Sequence, residues 1–92
     1  MKIQNMSNGN GGTVKNQFII FDPEFTLFQS YDSVIVKTCF ENGDRKVYLD
    51  EKYWDYSQTT GKYRNLFLGE TKKETEKKIK SGEYILINLN EK

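Results

Sequence analysis

The sequence has no histidine, one cysteine, one proline and one tryptophan. Without histidine the commonest general base, metal ligand and near-neutral pH switch is missing, and a serine or cysteine nucleophile loses its usual activating partner. A single Cys39 excludes an internal disulfide framework and a cysteine-based zinc site. It stands beside Phe40 in an apolar run, where a thiol behaves as a small hydrophobe. Charge of one sign is lacking too: 14 Lys plus Arg face 13 Asp plus Glu, for a formal net charge of +1, which excludes a polyelectrolyte and an acidic mimic of nucleic acid. No apolar run of signal-peptide length opens the chain, and none long enough to cross a bilayer follows. Those absences point to a soluble, non-secreted, non-membrane protein in a reducing interior. Its 92 residues suffice for one core in a shallow two-layer packing, with little room for a large cofactor. No cofactor, metal site or catalytic residue is therefore expected, and the protein is not expected to be an enzyme.

What is present reads as an α+β domain over residues 14–92, preceded by a polar, Gly/Asn-rich segment 1–13. That segment is either a flexible tail or an edge hairpin, with Ile3 and Met6 pairing and Asn8–Gly12 at the tip. Short aromatic and β-branched runs predict strands at Gln17–Phe21, Phe25–Phe28, Ser33–Phe40 and Arg45–Leu49, the third with Val34, Val36 and Phe40 on one face. Pro23 ends the first, Tyr31 and Asp32 turn the second, and Asn42-Gly43 predicts a type I′ hairpin before the fourth. Next come hydroxyl caps at Ser57–Thr60, and then Tyr63, Leu66 and Phe67 at helical spacing up to a stop at Gly69. Thr71 and Glu74 form a capping-box pattern opening a second helix, with Glu74–Lys78 and Glu76–Lys80 pairs on its surface and a stop at Gly82. The apolar run Glu83–Leu89 predicts a last strand buried inside the sheet. The expected order is β-β-β-β-α-α-β, an antiparallel sheet of four to five strands with two short helices before the last strand.

The stretch from Lys52 to Arg64 concentrates the chemistry. Tyr53, Trp54, Tyr56, Lys62, Tyr63 and Arg64 combine rigid aromatic area, polar tips and cations, the composition of interface hot spots and also of nucleobase-stacking surfaces. The competing interpretation is that Trp54 and Tyr63 fill the core with Phe67; only exposed members can bind. Thr59-Thr60-Gly61-Lys62 is not a phosphate-binding P-loop, because Tyr56 and Tyr63 stand where that loop needs a glycine and a hydroxyl residue. An anion at the free N–H groups of that helix start remains open. Asp50, Glu51 and Asp55 lack the spacing of a calcium loop. Between Lys52 and Lys80 eight cations face four acids, whereas Met1–Lys46 balances five against five. That excess can steer an acidic protein or a nucleic acid toward one face, the competing interpretation being ordinary solvation of a helix by lysines that Glu74 and Glu76 partly neutralise.

The blocks Phe28-Gln29-Ser30-Tyr31-Asp32-Ser33-Val34-Ile35, Leu49-Asp50, Trp54-Asp55-Tyr56-Ser57-Gln58-Thr59-Thr60-Gly61-Lys62-Tyr63-Arg64-Asn65-Leu66-Phe67-Leu68 and Glu83-Tyr84-Ile85-Leu86-Ile87-Asn88-Leu89 resemble a family of small bacteriophage proteins of Gram-positive hosts. That resemblance carries over no functional residue. It implies a protein of the host-cell cytoplasm that obstructs a host machine without catalysis, and inhibitors of CRISPR nucleases (anti-CRISPRs) are the best-known kind. A host defence protein such as a CRISPR effector is thus the expected partner. Nucleic acid or a nucleotide is the alternative, and a structural or assembly role ranks below both.

Overall fold

A computed structural model describes residues 1–7 and 11–90. The elements are β1 (Lys2–Ser7), β2 (Thr13–Asp22), β3 (Phe25–Ser30), β4 (Ser33–Glu41), β5 (Asp44–Asp50), α1 (Gln58–Leu68), α2 (Lys72–Ser81) and β6 (Tyr84–Ile87). They form one six-stranded sheet in chain order, antiparallel from β1 to β5 and parallel between β5 and β6. The fold is therefore α+β with two helices before the last strand, but the sheet is larger and mixed where four to five antiparallel strands were expected. The extra strand is β1, an edge strand on β2; positions 8–10 of the expected hairpin tip lie outside the described residues. The parallel pair follows from connection length: a two-residue hairpin reverses the chain, whereas a crossover through two helices returns it in the same direction.

Turn chemistry sets the meander. Asn42 and Gly43 have φ of 54° and 84°, the paired positive values of a type I′ turn, and Glu41 faces Asp44 across it. In β4 the register skips: Phe28 faces Val36 and Gln29 faces Val34, so Ile35 is the extra residue of a β-bulge. That bulge takes Val34 off the face expected to hold it with Val36 and Phe40, which still share that face by strand alternation. It buries both Ile35 and Val36 and turns Val34 to the opposite side, while Phe40 is exposed.

The helices cover one face. Phe28, Ile35, Val36, Val47, Leu49 and Tyr84 from the sheet meet Tyr63, Phe67, Leu68 and Ile79 from the helices, with the Phe28 and Phe67 rings stacked at 5.8 Å. Complete burial of a side chain such as Phe28 stabilises by about 1.5–3 kcal/mol. Of the stripe expected on α1, Tyr63 is buried and Phe67 half-buried, but Leu66 is exposed. Among the described residues no helix covers the opposite sheet face. Across it Ile3, Ile20, Leu27, Lys37, Tyr48 and Ile85 fall in register on six successive strands.

β6 departs from expectation in position. It is an edge strand, and Ile85, Leu86 and Ile87 are each more than a third exposed. Its apolar run therefore does not mark two-sided burial: only Tyr84 enters the core, while Ile85, in register with Tyr48, belongs to the helix-free face. On α2 the Thr71–Glu74 capping box is present, but Lys78 bonds Glu70 at 2.8 Å rather than Glu74, whose carboxylate is taken by the cap.

Candidate functional site

The candidate region lies where the β3–β4 turn meets the loop from β5 into α1. Asp50 fixes the start of that loop: its buried carboxylate accepts the backbone N–H of Lys52 (3.0 Å) and Tyr53 (2.8 Å) on one oxygen and of Leu89 (2.8 Å) on the other. Asp50 thereby serves structure and is not a free acid. Ser57 caps α1, accepting the Thr60 N–H at 3.1 Å, and Gly69 closes the helix at φ 71°, a left-handed backbone that glycine tolerates without Cβ strain. The Thr60 hydroxyl then meets the buried Ser30 hydroxyl of β3 at 2.9 Å, which ties the first turn of α1 to the sheet.

Between these parts opens a cleft of about 560 Å³. Tyr31, Tyr53 and Tyr56 line it, over hydroxyls that include Ser30 and Thr60, and Asp32 stands at the turn. The Tyr53 and Tyr56 rings meet edge to face at 5.5 Å. Tyr31 has φ 55° at the first position of the two-residue turn between Ser30 and Ser33, while Asp32 keeps negative φ. A positive φ at the first position of a two-residue hairpin turn is ordinarily supplied by glycine. A bulky residue there costs about 1–3 kcal/mol and persists because its surroundings fix it. Here the Tyr31 N–H donates to the Asn16 carbonyl (2.7 Å), and the Gln29 amide donates to the Tyr31 carbonyl (2.8 Å).

The six residues singled out in the sequence divide. Tyr56 and Lys62 are exposed; Tyr53 and Trp54 are half-buried and pack against the core. Tyr63 is a core residue, and Arg64 is only 1% exposed, so neither offers contact area as the chain is folded. Arg64 serves the loop itself. It donates to the Trp54 carbonyl (2.7 Å), the Asp55 carboxylate (3.2 Å) and the Asn65 side chain (3.0 Å), and its guanidinium lies 5.2 Å from the Trp54 ring centroid. Asp55 also holds Lys72 at 2.7 Å. Burial pushes the Asp55 carboxyl up, but the bonds from Lys72 and Arg64 outweigh it and hold the group below the usual carboxylate range.

Tyr31 and Asp32, read from sequence only as a turn, complete the cleft. The available signal was a tyrosine at a position where a tight hairpin wants glycine. Among the described residues no group of three or more Cys, Asp or Glu side chains gathers in a metal-binding arrangement, and no helix is long and apolar enough to cross a membrane. No curated protein and no solved structure matches the chain. Residues 1–83 match a family of unknown function, DUF8033, and the chain belongs to that family.

Proposed function

We propose that this protein acts by occupying the surface of a partner protein, without turnover, using the rim of the tyrosine-lined cleft. The supporting observation is the convergence of Tyr31, Tyr53 and Tyr56 on one cleft, with Tyr31 48% and Tyr56 66% exposed. Exposed tyrosines on a braced loop supply rigid contact area with a polar tip at little entropic cost. The lack of histidine, together with a lone Cys39 hydrogen-bonded to Glu41 and with its thiol pushed up by burial and by that carboxylate, supports a non-catalytic role. The partner class rests on the resemblance to small phage proteins. It is a host defence protein, with a CRISPR nuclease first to be tested, met in the cytoplasm of the infected cell.

The test is reconstitution with purified CRISPR nucleases, scoring a stoichiometric complex and loss of cleavage. A Tyr31→Ser, Tyr56→Ala double variant should weaken the complex by at least about tenfold, as loss of hot-spot aromatics does. Full binding by that folded variant would place the interface elsewhere, and no complex with any nuclease would end the CRISPR assignment.

Nucleic-acid or nucleotide binding is the second reading. It is favoured by a neighbouring cleft of about 510 Å³ at the start of α1, lined by Lys62, Arg64 and Lys72. Against it, Asp55 already takes up Arg64 and Lys72. Phosphate contacts would reveal themselves as affinity falling log-linearly with salt.

A further inference from the structure

We infer that the tyrosine cleft receives a cationic side chain, the guanidinium of an arginine presented by the partner; this rests on the protein-binding role proposed above. Charge sets the sign of the ligand. Among the described residues Asp32 is the one carboxylate lining the cleft, and no Lys or Arg lines it. A tyrosine face carries the negative side of the aromatic quadrupole, so a ring turned toward the cleft adds to the Asp32 carboxylate in favouring a cation, against the N–H groups at the start of α1, which favour an anion. The rings of this region already draw the chain's own cations. Lys52 Nζ lies 5.6 Å from the Tyr53 centroid without lining the cleft, and Arg64 lies over Trp54.

Shape and hydrogen bonding favour guanidinium over ammonium. The floor is rich in hydroxyl oxygens, including those of Ser30, Ser57 and Thr60; Ser57 Oγ donates to Thr60 and accepts its N–H, and both it and Ser30 Oγ keep a lone pair for a further donor. Guanidinium presents five N–H donors in one plane and stacks on aromatic faces, whereas an ammonium is compact and more strongly hydrated. The cleft volume falls within the range of small-molecule sites and suits one long side chain with its flanking backbone. The strained Tyr31 gives the site a further signature: a glycine there would relieve the backbone but remove one of the three rings.

The experiment uses the intact protein and three probes of related form: N-acetyl-arginine amide, its uncharged isostere N-acetyl-citrulline amide, and N-acetyl-lysine amide, with inorganic phosphate as a fourth. Backbone amide shifts are followed by NMR during titration. Arginine should produce saturable shifts at Tyr31, Asp32 and Tyr56, with citrulline weaker by about tenfold. Asp32→Asn and Tyr56→Ala, both at exposed positions, should each weaken arginine several-fold without disturbing the remaining spectrum. Citrulline or lysine matching arginine, phosphate shifting the same amides, or saturable shifts confined elsewhere or missing would each overturn the assignment. The two proposals separate cleanly. Arginine binding at this cleft combined with a protein complex indifferent to Tyr56 would sink the docking role alone, and a Tyr56-dependent complex without arginine selectivity would sink the guanidinium assignment alone.

Discussion

Gln17 and Arg64 are two large polar side chains in the interior, and they are held in opposite ways. Gln17 on β2 faces Ser30 in the register and is fully buried, yet neither amide atom has a hydrogen-bond partner. Unmade hydrogen bonds of a buried polar group cost about 1–3 kcal/mol. Methionine has nearly the same length and shape without the polar atoms, so Gln17→Met should raise stability by about 1–2 kcal/mol, read as a higher urea midpoint at unchanged slope. A lower midpoint would show that the amide has a partner in solution. Arg64, by contrast, bonds through both terminal nitrogens and leaves only Nε without a partner. Its burial was concealed in the sequence by its company: Lys62-Tyr63-Arg64 looks like a basic surface run. The inward stripe of α1 is Thr60, Tyr63, Arg64 and Phe67, a proper helical spacing in which hydrophobicity alone does not flag two of the four members. The candidate site was therefore half legible. Tyr53 and Tyr56 could be found by composition, whereas Tyr31 joins them only because the sheet brings the β3–β4 turn beside the loop.

Among the elements, the helix ends were readable because capping is local: Ser57, Gly69, the Thr71–Glu74 box and Gly82 stand where the spacing puts them. Glu70, between the helices, gave no such signal, because its partners are scattered along the chain. Its carboxylate, 5% exposed, accepts from Lys78 (2.8 Å), from the Tyr84 hydroxyl (2.8 Å) and from the Thr75 hydroxyl, joining the inter-helix turn, α2 and β6. Burial pushes this carboxyl up, yet the three donors outweigh it, and the group titrates below the usual glutamate range. A carboxylate depressed in the folded state adds stability that is complete above its unfolded value, about pH 4, and is lost as pH falls through the folded value. The Tyr84 hydroxyl is raised by burial and by Glu70, in keeping with donation to a charged acceptor. Glu70→Gln should cost about 1.5–3 kcal/mol at neutral pH, the range for hydrogen bonds to a charged group, and should flatten the acid limb of a stability-versus-pH profile. Equal acid limbs in the two proteins would show that Glu70 is not the titrating link.

The molecule as a whole is a local meander closed by one non-local event. From β1 to β5 each strand pairs with its predecessor, so the alternating patterns and the Asn-Gly turn made most of this half legible. β6 was misplaced because an apolar run is the same whether it ends in the middle of a sheet or at an edge with one open face, and only the length of the crossover decides its direction. Closure has its own fastener beyond β6. The Asn90 side chain donates to the Val34 carbonyl (2.9 Å) and accepts the Val34 N–H (2.7 Å), acting as a one-residue strand partner at the start of β4, before its pairing with β5 begins at Val36. Asp50 holds Leu89 in the same stretch. Contacts within the meander close short loops and should form first, whereas Val34–Asn90 spans 56 residues and should form last. Asn90→Ala should then cost about 1–2 kcal/mol, expressed almost wholly as faster unfolding with an unchanged folding rate. Exchange of the Val34 amide should accelerate with it. A variant that folds more slowly but unfolds at the original rate would mean that the C-terminal clasp belongs to the folding nucleus, and that the sheet is assembled around its last strand rather than completed by it.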